Sequence, residues 1–391
     1  MIYSFIIFSS LYLGVCFYLS RGLKKIGVAK IAGAPESEKK TAAHKYVSVI
    51  VCARNEEENI GRLLECFLRQ TYPADRTQVI VVNDRSSDKT PDIALSFRDR
   101  FGDFRLVNIS DSQTEFAPKK FALEQGIRCA KGEIIAQTDA DSVVAPDWLE
   151  RLVAPFADDE ISLVQGIVKY RFEKPAPFLL ETYQKLDFFS HGIVAAAGIG
   201  RNMPLNSNAN NWAFRKETYE TLGGYGSFDK SVVGDDCFLV QKIWRSGKKI
   251  FFNADSFVQT RPEYSWRNLI NQHKRWGSET RYYPPKQFAV LSVIFAFYCF
   301  TIIALVAIFV SRRDFALVPA LFAAKILGEL LFMYRGLSIL GEKKFLPHII
   351  WVSPINLFLT TFLILSGVFT KFHWKGGEFG ARMTRKRKEN L

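Results

Sequence analysis

Three short acidic clusters stand where chemistry on a phosphate-bearing molecule would need them. Ala53-Arg54-Asn55-Glu56-Glu57-Glu58 closes the apolar run that starts at Tyr46. Asn83-Asp84-Arg85-Ser86-Ser87-Asp88 closes the run from Gln78, and Thr138-Asp139-Ala140-Asp141-Ser142 closes the run from Glu133. Two carboxylates one residue apart, such as Asp139 and Asp141, repel each other unless a cation lies between them. Mg²⁺ or Mn²⁺ resolves that repulsion with hard oxygen ligands, and such an ion also bridges to phosphate oxygens. It would neutralise the charge that develops on a diphosphate leaving group. The plainer reading is capping, because Asp and Ser often close strand-to-helix turns. At Asp88 the two readings are balanced; at Asp139 and Asp141 capping is the weaker one.

A later acidic pair, Asp235-Asp236, opens a helical pattern with Leu239, Val240 and Ile243 on its inner face. Either acid could cap that helix, or accept a proton from an attacking hydroxyl as a general base. Further on, Gln272-His273-Lys274-Arg275-Trp276 fits QxxRW. The planar fork of an arginine binds oxyanions bidentately, and a tryptophan face suits a sugar ring or an acceptor chain. A basic aromatic stretch beside a membrane span also reads as an interfacial anchor. His273 alone reads as structural. No Gly-rich phosphate loop follows the first strand, which argues against a dinucleotide-dependent dehydrogenase and a P-loop ATPase.

These residues need a scaffold that brings strand ends together. Strand-like runs at Tyr46 to Ala53, Gln78 to Asn83, Phe104 to Asn108 and Glu133 to Thr138 alternate with helical patterns. The helical patterns cover Glu57 to Gln70, Asp88 to Phe97 and Lys119 to Ala130. Alternation of this kind predicts parallel pairing by right-handed crossovers, with ligands beyond the carboxyl ends of the strands.

Apolar runs at both ends predict membrane segments. Met1 to Ser20 is uncharged and about long enough to span a bilayer, with Arg21, Lys24 and Lys25 after it. Charge after rather than before the apolar core favours an uncleaved anchor over a secretory signal, and it places the following domain in the cytoplasm. Three more apolar segments lie at Phe288 to Val310, Phe315 to Tyr334 and Phe345 to Thr370. The second contains Lys325 and Glu329, an i,i+4 pair, and the third is expected to be broken by Pro347 and Pro354. The apolar stretch Pro177 to Ile199 is expected to lie partly in the interface, near an acceptor entrance. The predicted layout is an anchor over 1–20, a linker over 21–45, a cytoplasmic α/β domain over 46–285, a membrane region over 286–371 and a basic tail over 372–391. The middle or the last of these segments is expected only to dip into the bilayer, because Arg385 to Lys388 then follow the positive-inside rule. The net charge of +13 sits largely beside these runs, so membrane lipid explains it better than nucleic acid does. The six cysteines contain no CxxC pair and suggest neither a disulfide framework nor a zinc site.

Taken together, the motifs from Tyr46 to Trp276 resemble the membrane-bound, QxxRW branch of the family 2 glycosyltransferases. The resemblance rests on Ala53-Arg54-Asn55-Glu56, Asn83 to Asp88, Lys119-Lys120-Phe121-Ala122-Leu123, the DxD, the acidic pair and QxxRW. It implies a GT-A-type fold and an inverting single displacement. It further implies that Ala53, Glu56 and Asp84 hold the nucleoside, and that Lys119 or Lys120 lies near the donor phosphates. Asp139 would touch ribose or sugar, and Asp141 the metal, with Asp139 as its partner ligand. Asp236 would be the base, although the pair reads Asp-Asp where the family has Glu-Asp, so Asp235 stays open. Gln272, Arg275 and Trp276 would close over diphosphate and acceptor. The segment Asn206 to Arg215 is similar to the family's Asn-rich stretch beside the acceptor, or is a polar loop. The expected donor is a UDP-linked sugar and the expected acceptor a lipid or lipid-linked hydroxyl. A processive polysaccharide synthase and a non-catalytic scaffold of the same fold are the alternatives.

Overall fold

The structure is a computed structural model that describes residues 2–31, 44–110, 118–225, 235–277, 283–369, 371–374 and 377–380. Residues 32–43 of the expected linker, the side chain of Asp235 and the basic tail from 381 onward lie outside the described residues. In chain order the main elements begin with α1 (Ile2–Ile31), β1 (Val47–Ala53), α2 (Ile60–Leu68), β2 (Thr77–Asp84), α3 (Thr90–Ser96) and β3 (Phe104–Ile109). They continue with α4 (Pro118–Arg128), β4 (Ile134–Gln137), β5 (Val143–Val144), α5 (Trp148–Val153), β6 (Ile161–Tyr170) and α6 (Phe178–Gly200). Next come β7 (Trp212–Arg215), α7 (Lys216–Thr221), α8 (Asp235–Arg245), β8 (Lys249–Thr260) and α9 (Trp266–Gly277). The last are α10 (Pro285–Ser311), α11 (Leu317–Leu340), α12 (Ile349–Phe369), β9 (Lys371–Trp374) and β10 (Gly377–Gly380). The chain divides into two compact units, one built from Val28–Glu173 and Asn206–Pro262, the other from Met1–Gly27, Lys174–Leu205 and Glu263–Leu391.

The first unit is an α/β layer structure around a mixed sheet in the order β3-β2-β1-β4-β7-β6-β8-β5. The strands β3, β2, β1 and β4 are parallel, as the alternation predicts. The strands β1, β2 and β4 are buried on both sides because both faces are covered, whereas the edge strand β3 exposes Arg105 and Asn108. Val49, Val51, Val79, Val81 and Ala136 pack against Ile60, Leu63 and Leu64 of α2. Ile50, Ile80, Val82 and Ile135 face Leu123 and Ile127 of α4 and Leu239 and Ile243 of α8. The in-register pairing of Ala53 with Asn83, and of Ile50 with Gln137, brings three carboxyl ends to one edge. The sheet then reverses: β7 runs antiparallel to β4, with Trp212 opposite Gln137. The residues just before β7 therefore arrive beside the residues just after β4.

The second unit is mainly helical, with β9 and β10 paired antiparallel near its end. Four helical stretches, Ile2–Ile26, Pro285–Ser311, Leu317–Leu340 and Lys343–Ser366, are long and apolar enough to cross a membrane. Two expectations need correcting. Residues 21–31, placed in a linker, continue α1, which accommodates Gly22 and Gly27 and meets no proline before Pro35. Pro354 does not break α12, which runs through it; proline is tolerated in long apolar helices where neighbours satisfy the freed backbone groups. Pro347 lies in the short 3-10 turn Lys343–His348 that precedes α12. The stretch Pro177 to Ile199 forms most of α6, which crosses α1 at backbone contact. A Cβ on Gly22 would stand 2.2 Å from the carbonyl oxygen of Ala197, and one on Gly200 2.2 Å from that of Gly22. Small residues at such crossings let helices approach through van der Waals contact. Lys325, fully buried, pairs with Glu329 as their spacing predicts, and also donates to Ser353 Oγ at 3.1 Å. The Tyr298 hydroxyl donates to the same Glu329 at 3.4 Å. Pairing offsets the cost of about 2.5–3.5 kcal/mol that a lone charge would carry in mid-bilayer.

Candidate active site

Two turns at the sheet edge are stitched to each other. Asn55 and Arg85 adopt the left-handed region (φ 55° and 56°), so each strand ends in a sharp reversal rather than running on. The Asn55 side-chain oxygen accepts from the Ser87 amide at 2.9 Å, and the Asn55 amide donates to Ser86 Oγ at 3.1 Å. The Glu56 amide donates to Thr90 Oγ1 (2.8 Å) and the Glu57 amide to Asp88 Oδ2 (3.1 Å). Asp88 also accepts from the Thr90 amide at 3.0 Å. Burial pushes the Asp88 carboxyl up, but these donors outweigh it and hold the group below its ordinary value. Asp88 thus closes the turn through the Glu57 and Thr90 amides. Ala53 is buried, and the Glu56 carboxylate accepts from Asn59 Nδ2 at 2.8 Å. Asp84 is buried and ion-paired with its neighbour Arg85, Oδ1 to Nη2 being 2.6 Å.

The DxD turn is shaped from the antiparallel side. The buried side-chain oxygen of Asn210 accepts from Thr138 Oγ1 (2.9 Å), the Asp139 amide (3.0 Å) and Ser142 Oγ (2.6 Å). Asn210 occupies the short turn Ala209–Asn211 that leads into β7. The neighbouring Asn211 takes the indole N–H of Trp148 at 2.9 Å and donates to the carbonyls of Ile167 and Ser256. Gly166 makes room for it, since a Cβ there would lie 2.2 Å from Asn211 Nδ2. Asp236, in the first turn of α8, reaches the same short turn: its Oδ2 accepts from the Ala209 amide at 3.3 Å and its Oδ1 from the Cys237 amide at 2.8 Å. One polar segment thus holds the DxD turn with one side chain and the Asp236 carboxylate with a backbone amide. Sequence reading noticed this Asn-rich run but not its structural job.

Asp139 is ion-paired with Lys119 of α4 at 3.2 Å, whereas Lys120 is buried with its ammonium 4.5 Å from the Phe238 ring centroid. Asp141 accepts from Thr260 Oγ1, at the end of β8, at 3.4 Å. Two carboxylates with no soft donor in the pair fit Mg²⁺ or Mn²⁺, ions that keep several positions for water and phosphate. Asp139, Asp141, Lys119 and Asp236 are therefore drawn to one end of the sheet, with Asp84 and Glu56 at the adjoining strand ends.

Gln272, Arg275 and Trp276 lie on α9 in the helical unit. The Trp276 ring packs on α6, stacked against Phe188 (centroids 6.1 Å apart) and beside His191 (5.3 Å), and touches His273 (4.9 Å). Gln184 of α6 pairs with the backbone of Glu263, donating to its carbonyl at 2.7 Å and accepting its amide at 2.9 Å. His273 bonds to Asp187 of α6, an acid that sequence reading passed over; its only signal is a carboxylate inside an otherwise apolar helix.

Residues 44–278 match the family described as "Glycosyltransferase like family 2". The chain belongs to this glycosyltransferase family. It is 32% identical over 237 residues to the glycosyltransferase AglE of Haloferax volcanii, covering 61% of this chain and 73% of that one. It is 30% identical over 239 residues to the probable glycosyltransferase YdaM of Bacillus subtilis, covering 60% of this chain and 55% of the relative. A third relative is the beta-monoglucosyldiacylglycerol synthase of Trichormus variabilis, 31% identical over 144 residues, which are 37% of this chain and 30% of that protein. The chain thus spans little more than half of YdaM and less than a third of the synthase. Among solved structures it resembles the Pyrobaculum calidifontis mannosyltransferase PcManGT in complex with GDP-Man and Mn²⁺, with a TM-score of 0.55 and 22% identity over 90% of this chain and 99% of that one. This likeness establishes the GT-A-type fold for the family 2 glycosyltransferase described above.

Proposed function

We propose that this protein is an inverting glycosyltransferase that moves a sugar from a UDP-linked donor to a hydroxyl of a lipid or lipid-linked acceptor on the cytoplasmic face of a membrane. The observation that carries the reading is the joint support of the DxD turn and Asp236 by the segment Ala209–Asn211. A donor-side pair of carboxylates and an acceptor-side base must be held in fixed relation for an in-line displacement. Asp236 takes the proton from the acceptor hydroxyl as its oxygen bonds to the anomeric carbon. The bond from that carbon to the diphosphate oxygen breaks on the opposite side, so the configuration inverts.

Ala53, Glu56 and Asp84 serve the nucleoside, and Asp84 must exchange its bond to Arg85 for one to the donor. Asp139 and Asp141 would hold Mg²⁺ or Mn²⁺, and the chemistry such an ion would supply is neutralisation of the charge that develops on the diphosphate. Lys119, already on Asp139, is the lysine suited to those phosphates; the burial of Lys120 suits it to packing. Gln272, Arg275 and Trp276 are assigned to diphosphate and acceptor. The relatives supply the acceptor class: they include a glucosyldiacylglycerol synthase and, in Haloferax volcanii, a glucosyl-dolichyl phosphate glucuronosyltransferase. The bound Mn²⁺ of PcManGT supports the choice of ion. Arg21, Lys24 and Lys25 after the first span support the cytoplasmic placement.

The test is to reconstitute the protein in lipid and supply it with UDP-, GDP- and dTDP-sugars in turn. Release of UDP that requires both lipid acceptor and divalent cation is the expected result. Release from a GDP-sugar alone would overturn the donor assignment, and full turnover in excess chelator would overturn the metal assignment.

A further inference from the structure

The QxxRW helix holds a residue that the proposed reaction leaves unused. His273 follows Gln272 directly, and its side chain is only 10% exposed. Its Nδ1 lies 2.9 Å from the carbonyl oxygen of Leu269, one turn back in α9. Its Nε2 lies 2.8 Å from Asp187 Oδ2 on α6. A backbone carbonyl can only accept, so Nδ1 carries a hydrogen. An ionised carboxylate can only accept, so Nε2 carries one as well. A ring with both nitrogens protonated is an imidazolium.

The competing assignment puts the proton on Asp187. Burial pushes that carboxyl up, but the charge and hydrogen bond of His273, helped by His191, outweigh burial and hold it below its ordinary value. For His273 burial pushes down, and the Asp187 charge, its hydrogen bond and the Leu269 carbonyl together carry the ring above its ordinary value. Among the described residues, the other ionisable groups that act on the pair are on α6. His191, whose Nε2 is 3.8 Å from Asp187 Oδ2, is lowered by burial against the opposing pull of Asp187. Tyr183, one turn before Asp187, is raised by burial and by that carboxylate. The helix α12 packs on α9 and carries no ionisable residue from Ile349 to Phe369. The strand β9, also against α9, carries Lys371 and His373, whose side chains lie outside the described residues.

We propose that His273 is a positioning residue, an imidazolium clamped between the Asp187 carboxylate and the Leu269 carbonyl that sets the rotation of α9 and with it Gln272, Arg275 and Trp276. The Trp276 ring, packed on both imidazoles, extends the clamp. The effect on turnover rests on the proposed function; the charge and the seating of Trp276 do not. Asp187, His191 and His273 also bring ligand-capable atoms within 4.8 Å of one another. Holding a transition metal would require Nε2 without its proton, so the two arrangements give opposite protonation states.

The experiment uses the full chain in lipid nanodiscs with ¹⁵N-labelled histidine and tryptophan, as wild type, His273→Gln, His273→Arg and Asp187→Asn. The expected wild-type titration shows one ring, absent from His273→Gln, that keeps both nitrogens protonated up to a midpoint above the ordinary value of about 6.5. The Trp276 indole signal should move in His273→Gln and stay near its wild-type position in His273→Arg, which keeps a forked cation. With a donor that the enzyme accepts, kcat should fall about 10²-fold in His273→Gln, the scale for an active group displaced by roughly 1 Å, and be largely recovered in His273→Arg. A His273 midpoint at or below the ordinary value of about 6.5 would overturn the proposal. So would one equivalent of Zn²⁺ retained by wild type and lost in Asp187→Asn, or an unmoved Trp276 signal in His273→Gln. If no donor is turned over, the proposed function fails, while the ring and indole signals still decide this inference. If His273→Gln does not fold, the wild-type, Asp187→Asn and His273→Arg spectra decide it.

Discussion

Replacing Asn210 with alanine should damage the DxD turn more than any surface change could. The Asn210 side-chain oxygen is the shared acceptor for two hydroxyls and the Asp139 amide, all at 3.0 Å or less. The hydroxyls of Thr138 and Ser142 can rotate toward other acceptors; the Asp139 amide cannot. A buried donor left without a partner costs about 1–3 kcal/mol, and weakening the two hydroxyl bonds adds to it, for a total of about 2–4 kcal/mol. In a unit of this size each kcal/mol lowers Tm by about 2–4 °C, so a loss of about 4–16 °C is expected. The functional loss should exceed the thermal one. Freed from Asn210, the carboxylates of Asp139 and Asp141 lose their fixed setting, and misplacement by about 1 Å costs roughly 10²-fold in turnover. Asn210→Asp restores an acceptor of the same shape and should recover most of the stability, while adding a negative charge that impairs donor binding. The assay pairs thermal unfolding followed by circular dichroism with donor turnover at saturating Mn²⁺. If Asn210→Ala keeps wild-type Tm and kcat, the turn is set by something other than this side chain and the argument fails.

The other predictions are these. Asp236→Asn should lower kcat by roughly 10²–10⁴-fold while donor binding, measured calorimetrically, persists; a larger loss in Asp235→Asn with the fold intact would move the base to that residue. Asp141→Asn should raise the Mn²⁺ concentration needed for half-maximal turnover, and an unchanged metal requirement would remove Asp141 as a ligand. Stability should also depend on pH through Asp187 and His273. The raised His273 contributes fully below its unfolded value of about 6.5 and loses that contribution as pH rises through its folded value. The lowered Asp187 contributes above its unfolded value of about 3.9 and loses that contribution as pH falls through its folded value. Thermal unfolding across pH should therefore show a plateau between these limits, and Asp187→Asn should flatten the alkaline limb; an unaltered profile would count against the pair.

How much of this was legible in the sequence depends on how local each feature is. The strands β1 to β4 and their helices were readable because period and turn residues lie within each segment. Their parallel pairing then follows from the crossovers, and the acidic strand ends follow from the pairing. The antiparallel half was not readable in the same way. Trp212 to Arg215 is too short to announce a strand, and its place beside β4 is fixed by contacts some 70 residues apart in sequence, such as Thr138 with Asn210. Hence Asn206 to Arg215 could be singled out by composition, while the role of Asn210 in the DxD turn could not. Lys119 and Lys120 were equivalent on paper; only the rotation of α4 against Asp139 and Phe238 separates them. Asp187 was hidden because an acid in an apolar helix gains meaning only from its partner, and His273 lies 86 residues away.

The most direct measurement is the fate of the sugar itself. Protein reconstituted in vesicles is incubated with an α-linked UDP-sugar carrying ¹³C at the anomeric carbon and with a lipid hydroxyl acceptor, and the organic-phase product is read by NMR. The account predicts a single sugar on the lipid in the β configuration, with one UDP released per linkage. An α-linked lipid product would contradict the single displacement, and label found only in a long water-soluble polymer would contradict the lipid acceptor.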